Sequence, residues 1–351
     1  MLRLFSRRSS PPKPSPVPQF TAAERALYAY PASTPPALGY EAYDQMQGDT
    51  MVQAALRIKK LGVLSAPWWL DGDPERVAFV REALAAVPGL VEGALWAAMD
   101  AFAKGWSIQE LVWERRDDRW VIAALRPKDP ARFGIEFDAY GRISGLQLHQ
   151  PGEPSQSLPR DKFVLYIHQP TYARPKGQSD LDPAFRHWQA KTTLLTAWRT
   201  HLEQFASPTV LGKYQRGLPS AEQSAILAAL RDLSQSSAIV FPEEIDISTL
   251  GGGREPSGNF QTAIDYHNAE IARAILGQTL TTDEGRRLGS FALGKVHLQV
   301  LRMQLAALRT TLAQQVLNEQ IVRPLVQMNF GDGPVPTVTF EETPLDFPEL
   351  G

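Results

Sequence analysis

The 351-residue chain contains no cysteine. Disulfides, thiolate zinc sites and cysteine nucleophiles are therefore excluded. No run of about 18 apolar residues occurs, so no segment reads as membrane-spanning. The opening MLRLFSRRSS lacks the apolar stretch of a signal peptide. A surplus of either charge is missing as well: 36 basic against 38 acidic residues leave a formal net charge of −2. A dedicated sequence-reading DNA binder is usually more basic than this. A protein that surrounds DNA with few contacts stays compatible, because backbone affinity scales with the phosphates neutralised. No GxxxxGKS/T, GxSxG or HExxH pattern is present. The six histidines (149, 168, 187, 201, 267 and 297) include no pair three or four apart, so helical metal spacing is absent. The expectation is a non-enzymatic protein with no cofactor and no metal.

Several features that remain read as structural. The stretch GGGREPSG (251–258) follows a strand and precedes a helix, but its spacing is neither a P-loop nor a dinucleotide fingerprint, and a flexible linker is the reading. His168 ends a strand beside Pro170 and reads as structural, and His267 falls on an apolar stripe and reads as a core or interface histidine. The eight tryptophans are mostly flanked by apolar residues, which favours core packing over a base-stacking platform.

At 43% hydrophobic and 21% charged, the chain can bury a real core. Residues 1–19, with five prolines and four basic residues, read as a disordered basic arm that the prolines at 31, 35 and 36 extend to about residue 40. Helical spacing follows over 41–62, then VLSAPWWLDG ending in a turn, then two helices over 74–103 broken near Pro88–Gly89. The period then changes to 2: short alternating runs predict one antiparallel sheet over roughly 107–168. After the connector 169–180, Asp182 as N-cap and Pro183 at the first helical position predict a long helix to Ala206. PTVLGKY, SAEQSAILAALRDL and SAIVFP read as strand, helix and strand, with Ser220 and Gln223 forming a capping box. EIDISTL adds a possible further strand. The next helix begins near Asn259, with Phe260, Ile264, His267, Ile271 and Ile275 on one stripe and Gly277 at its C-terminus. A last long helix starts near Ser290, its stripe Val296, Val300, Met303, Leu308, Leu312, Val316 and Ile321 running until Pro324 kinks or ends it. The Pro-rich tail carries one strand, VPTVTF.

Between the last two helices lies GQTLTTDEGRRLGS. It is polar and glycine-bearing, with Gly277, Gly285 and Gly289 as breaks that let it bend. Arg286 and Arg287 are its adjacent cations.

The stretch IARAILGQTLTT, then GSFALGKVH, then the helix ending in LNEQIVRPLVQMNFG resembles the portal proteins of Mu-like tailed phages and prophages. LGVLSAPWWL, AFAKGWSIQELVWE and the run from DPAFRHWQ to SPTVLGKY resemble further segments of that family in the same order, so the resemblance covers about 41–331. The tail departs from it: little follows NFG, so an extended crown is not expected.

The resemblance implies the α+β phage portal fold, with long helices and a small antiparallel sheet. It implies a disordered arm over 1–40, a wing over 41–180, candidate stem helices over 181–206 and 259–277, and a clip-like insert over 207–258. It further implies a tunnel loop over 278–289, a long helix over 290–328 returning to the wing, and a tail over 329–351. Gln278, Thr281, Thr282, Arg286 and Arg287 become DNA-channel candidates; the arginines face either DNA or the next subunit. The implied partners are further copies of the chain in a closed ring, commonly twelve, and double-stranded DNA bound without sequence preference. Terminase large subunit, head–tail adaptors, and major capsid and scaffold proteins complete the set, with no membrane. Two alternatives stay open. A head-completion or adaptor protein is one; a nucleic-acid enzyme is the other, and it would need a nucleotide or metal constellation.

Overall fold

A computed structural model describes residues 38–138, 142–206, 210–214, 217–234, 238–242, 257–279 and 291–341. The N-terminal arm up to residue 37, the EIDISTL segment and the tail beyond 341 lie outside the described residues.

The N-terminal part begins with α1 (Tyr40–Gln47) and α2 (Thr50–Leu64). Asp49 caps α2: its carboxylate accepts from the Met51 and Val52 amides at 2.9 and 3.2 Å, satisfying two donors that a helix start leaves open. β1 (Trp68–Asp71) follows, then α3 (Pro74–Ala85), capped by Asp73 with Pro74 in its first turn. The chain then breaks at Gly89, which adopts φ +62°, and continues through short helical turns at Leu90–Leu95, Trp96–Ala98 and Ala101–Lys104.

The alternating region forms two sheets rather than the single one expected. β2 (Trp106–Arg116) lies between β3 (Arg119–Lys128) and β7 (Phe163–Ile167), while β4 (Phe133–Phe137), β5 (Ile143–Leu148) and β6 (Gln156–Leu158) make a separate antiparallel sheet. The reason is visible in β7, which is buried along its whole length. Its pleat sends Phe163, Leu165 and Ile167 into a small core shared with Ile135 and Leu146 of the second sheet. Val164 and Tyr166 go into the main core instead. A strand buried on both faces serves two layers. On β2, Ser107 and Gln109 are buried and polar, and their side chains donate to the Ala98 and Ala94 carbonyls at 2.6 and 2.8 Å. They join β2 to carbonyls of the irregular helical turns before it.

Helix α4 spans Leu181–Ala206. It starts two residues earlier than expected: the Ser179 hydroxyl accepts from the Leu181 amide at 3.0 Å. Asp182 is not the cap. Its carboxylate instead takes the Tyr43 hydroxyl at 2.6 Å and Arg174 at 2.5 Å. β8 (Val210–Tyr214), α5 (Ser220–Ser234) and β9 (Ala238–Pro242) form a parallel βαβ unit. The capping box is not formed, since the Gln223 amide donates to the Leu218 carbonyl at 2.8 Å. α6 (Ser257–Leu276) packs antiparallel along α4 and buries Ile264, Ile271 and Ile275.

The last helix is α7 (Phe291–Leu312), which continues through a π-helical stretch, Ala313–Val322, into α8 (Arg323–Phe330). Pro324 does not end it. The wider i→i+5 turns before the proline relieve the clash of its ring with the carbonyl four residues back. The stripe expected for this helix divides. Leu312, Val316 and Ile321 are buried, whereas Val300 and Met303 are 41% and 49% exposed and the neighbouring Leu301 and Leu305 are buried in their place. The tail strand, β10 (Thr337–Phe340), pairs antiparallel with β1. Of the tryptophans, Trp106 is buried, Trp68, Trp96, Trp113 and Trp188 pack partly against the main core, and Trp69 and Trp120 are exposed.

Amide side chains of this C-terminal run hold three strands. Asn318 accepts from the Val338 amide at 2.7 Å and donates to its carbonyl at 3.2 Å. Gln320 does the same for Leu165 on β7 (2.8 and 2.6 Å), and Asn329 for Trp120 on β3 (2.8 Å each way). Replacing Asn318→Ala leaves both Val338 backbone groups without this partner and should lower unfolding free energy by about 1–3 kcal/mol; urea denaturation measures it. Asn329→Ala, at an exposed edge, should cost less.

Candidate functional site: the base of the 278–290 loop

Gly277 terminates α6 with φ +70°, and its amide donates to the Arg273 carbonyl at 2.9 Å. A left-handed residue there satisfies a carbonyl of the last turn. A Cβ at 277 would also run into the Gln304 side chain of α7, so the loop leaves α6 where α7 lies close. Gln278, the one DNA-channel candidate with a described position, is 3% exposed and so is not presented outward in the single chain. Thr281, Thr282, Gly285, Arg286, Arg287 and Gly289 lie outside the described residues.

At the foot of this loop opens a cleft of about 630 Å³, lined among others by Gly277, Gln304, Thr311, Lys59, His168 and Asp180. Its floor is a buried charge cluster. Lys59 Nζ lies 2.6 Å from Asp180 Oδ2, and His168 Nε2 lies 3.0 Å from Asp180 Oδ1. All three side chains are under a tenth exposed. Phe102 closes one side, with its ring 4.8 Å from the His168 ring and 4.9 Å from the Lys59 ammonium. Burial works to raise the Asp180 carboxyl, but the charges and hydrogen bonds of His168 and Lys59 outweigh it and hold the group below the ordinary carboxylate range. Main-chain bonds fix the cluster. The His168 amide donates to the Gly105 carbonyl at 2.9 Å, and the Gln178 amide to the His168 carbonyl at 2.8 Å. Gly177, at φ +91°, passes so close to the Gly105 carbonyl that no Cβ fits there.

Further ion pairs surround this point. Lys60 meets Asp100, Lys104 meets Asp44 at 2.9 Å, and Lys191 meets the capping Asp49 at 2.7 Å. They tie α1 and α2 to the helical turn at Ala101–Lys104, and α4 to the start of α2. Arg309 of α7 donates to the Gly62 and Val63 carbonyls at 2.6 and 3.2 Å, at the C-terminal end of α2, where a cation is favoured.

The arrangement holds elements in place; it does not present a nucleophile–base pair. His168 is structural, as its sequence context suggested. Among the described residues no three metal-ligating side chains cluster, and no helix is long and apolar enough to cross a membrane. Lys59 and Asp180 carry no motif that marks them as a pair in the sequence. The available signal was position: Lys59 stands four residues after Ala55 and four before Val63, on the buried stripe of α2. A lysine there needs an anion.

One charge pattern adjoins the loop directly. Between Glu284 and Glu319 the chain carries no acidic residue, while Arg286, Arg287, Lys295, Arg302 and Arg309 fall within it.

The sequence profile of the portal protein of Mu bacteriophage matches residues 40–350. The chain belongs to this portal family. The portal protein of Escherichia phage Mu is 26% identical over 303 residues, covering 82% of this chain and 56% of the phage protein. The Mu-like prophage FluMu protein gp29 of Haemophilus influenzae is 24% identical over 318 residues, with the same coverages. The chain thus spans little more than half the length of these curated relatives. Its fold also matches chains in the virion of a native gene transfer agent particle (TM-score 0.62, 15% identity, 92% of this chain and 89% of that one) and in the neck of the native particle computed with C12 symmetry (TM-score 0.60, 14% identity, 92% and 89%). The mixed helices and small antiparallel sheets are therefore those of a portal fold.

Removing the central anion tests the cluster. Asp180→Asn should destabilise the protein by about 3–5 kcal/mol, because Lys59 is left buried without its counter-charge; thermal or urea unfolding reads this. Since the Asp180 carboxyl is depressed in the fold, its contribution is present above about pH 3.9 and is lost as pH falls through the folded value. The variant should therefore lose part of the wild-type stability gradient at low pH. Gly277→Ala combines positive-φ strain with the Gln304 contact and should cost about 1–2 kcal/mol.

Proposed function

We propose that the protein is the portal of a tailed phage or prophage. In this reading it forms a closed ring of twelve copies at the unique capsid vertex, through which double-stranded DNA is packaged and ejected. The observation that carries the reading is the segment joining α6 to α7. The chain leaves α6 at a positive-φ glycine and re-enters at Phe291 after a loop holding Arg286 and Arg287, at the start of a long run free of acidic residues. A cation-only stretch beside a channel contacts phosphates of any sequence. An overall charge near neutral keeps those contacts few, so that DNA is not gripped. Family membership over residues 40–350 and the fold shared with a neck component computed with C12 symmetry support the same reading.

The anatomy follows. The region with its two three-stranded sheets is the wing, α4 and α6 are the stem, and the βαβ unit is the clip. The 278–289 loop is the tunnel loop, with Arg286 and Arg287 as its DNA contacts. Thr281 and Thr282 flank them, and Gln278 anchors the loop from its buried position. A ring uses two different faces of each subunit, and the exposed Val300 and Met303 suit such a face. The clip receives the terminase large subunit during packaging and head–tail adaptors afterwards. Major capsid and scaffold proteins surround the wing in the virion, after assembly in the host cytoplasm. The role is structural, without catalysis.

Negative-stain microscopy of the purified protein should show rings with a central hole of about 20–40 Å, wide enough for a duplex. A monomer at high concentration, or ATP hydrolysis by the chain alone, argues against the portal reading. Arg286→Ala with Arg287→Ala should leave the rings intact and reduce packaging or retention of DNA by about tenfold, since the lost contacts recur in every subunit. If the rings fail to form, the arginines belong to a subunit interface instead.

A further inference from the structure

The two long helices α4 and α6 meet at a pair of histidines. His187 Nδ1 lies 3.1 Å from His267 Nδ1, with the ring centroids 5.4 Å apart. Two imidazole nitrogens at this distance require one proton between them. A third contact decides which ring carries it. The Arg186 Nε–H donates to His187 Nε2 at 3.2 Å. That nitrogen must therefore be a bare acceptor, so neutral His187 holds its proton on Nδ1 and donates to His267 Nδ1. His267 then carries its own proton on Nε2. Tyr266 sets its ring edge-on to both, 6.0 Å from His187 and 5.1 Å from His267.

We propose that the His187–His267 pair is a pH-sensitive latch between the two helices that carry the βαβ insert: closed with one bridging proton, open when both facing nitrogens carry one. A further proton, taken by His267 at Nδ1, leaves no bare nitrogen at the contact and places two N–H donors face to face with His267 now charged. Arg186 adds a second cation beside them. The surrounding charges offer limited relief. On α6, Glu270 is near His267 but is already paired with Arg273. On α4, Asp182 holds Arg174, and Lys191 holds Asp49. On the neighbouring α2, Lys59 and Lys60 are held by Asp180 and Asp100, and Arg57 is exposed. On α1, which touches α4, Asp44 holds Lys104 and Glu41 is exposed. Burial lowers the proton affinity of His267, His187 lowers it further, and Glu270 opposes both. A histidine held below its ordinary value of about 6.5 contributes its full stabilisation above that pH and loses it as pH falls through it.

The consequence lies beyond the ring and its DNA and does not depend on them. The insert stands on α4 and α6, so opening the latch frees the hairpin that bears it.

The test uses the full chain in whatever assembly it forms. Hydrogen-exchange protection of the α4 and α6 amides near the pair, corrected for intrinsic pH dependence, should fall by about tenfold between about pH 7.5 and about pH 5. In His267→Asn, whose amide oxygen still accepts from His187 but cannot be protonated in this range, protection should stay flat. Equal loss in both proteins, or no loss in the wild type, overturns the proposal. Nitrogen-15 NMR of the wild type gives a check that needs no variant: above pH 7 His187 should be the Nδ1–H tautomer and His267 the Nε2–H tautomer. The same tautomer at both positions, or the reverse assignment, also overturns it.

Discussion

The fold depends on amide side chains that take the place of a neighbouring strand. Each of Asn318, Gln320 and Asn329 both donates to and accepts from one residue of a strand, on β10, β7 and β3 respectively. A strand edge next to a helix normally leaves backbone groups without partners. Here one helical run supplies them for three strands in two different sheets. The π-helical stretch is part of the arrangement, because its wider turns carry Asn318 and Gln320 together with Gln315, which accepts from the Ile167 amide at 3.2 Å. Helix and sheets are thus joined by directed bonds as well as by the apolar contacts of Val316, Leu317 and Ile321.

The second constraint is electrostatic and lies beside the middle of the same helical run, where Gln304, Thr311 and Gln315 line the same cleft. Lys59, Asp180 and His168 form a buried, ion-paired group where α2, β7 and the start of α4 converge. Burying such charges yields little net stability when the set is complete, but removing one member is strongly unfavourable. The cluster therefore specifies an arrangement more than it strengthens it. The loop that emerges at Gly277 starts from a cleft whose floor is fixed in this way.

Local pattern conveyed local structure well. The apolar spacing of α6 placed Ile264, Ile271 and Ile275 on one side, and that side is buried. The change of period near residue 107 marked the strands. Partnership between distant segments was not legible. Nothing near Trp68–Asp71 announces that its partner is Thr337–Phe340, because pairing depends on where the intervening chain leads. The α7 stripe shows the same limit in another form: Val300 and Met303 have helical spacing, yet the chain covers the face of Leu301 and Leu305. Periodicity aligns apolar residues without naming what will cover them. Pro324 does not end its helix, because its effect depends on the turn before it, which only the structure reveals. At the candidate site, Lys59 and Asp180, 121 residues apart, formed a pair that no local motif encodes.

The βαβ unit has one more consequence. The chain enters it after Ala206 and returns at Ser257, and near this point the His201 and Phe260 rings lie 5.8 Å apart. Entry and exit are therefore neighbours. Such a unit is joined to the molecule as a graft is to a rootstock: a different module, or a short turn, can span the same gap without altering the helices below. The unit is thereby free to diverge, while the scaffold that holds it keeps its sequence requirements.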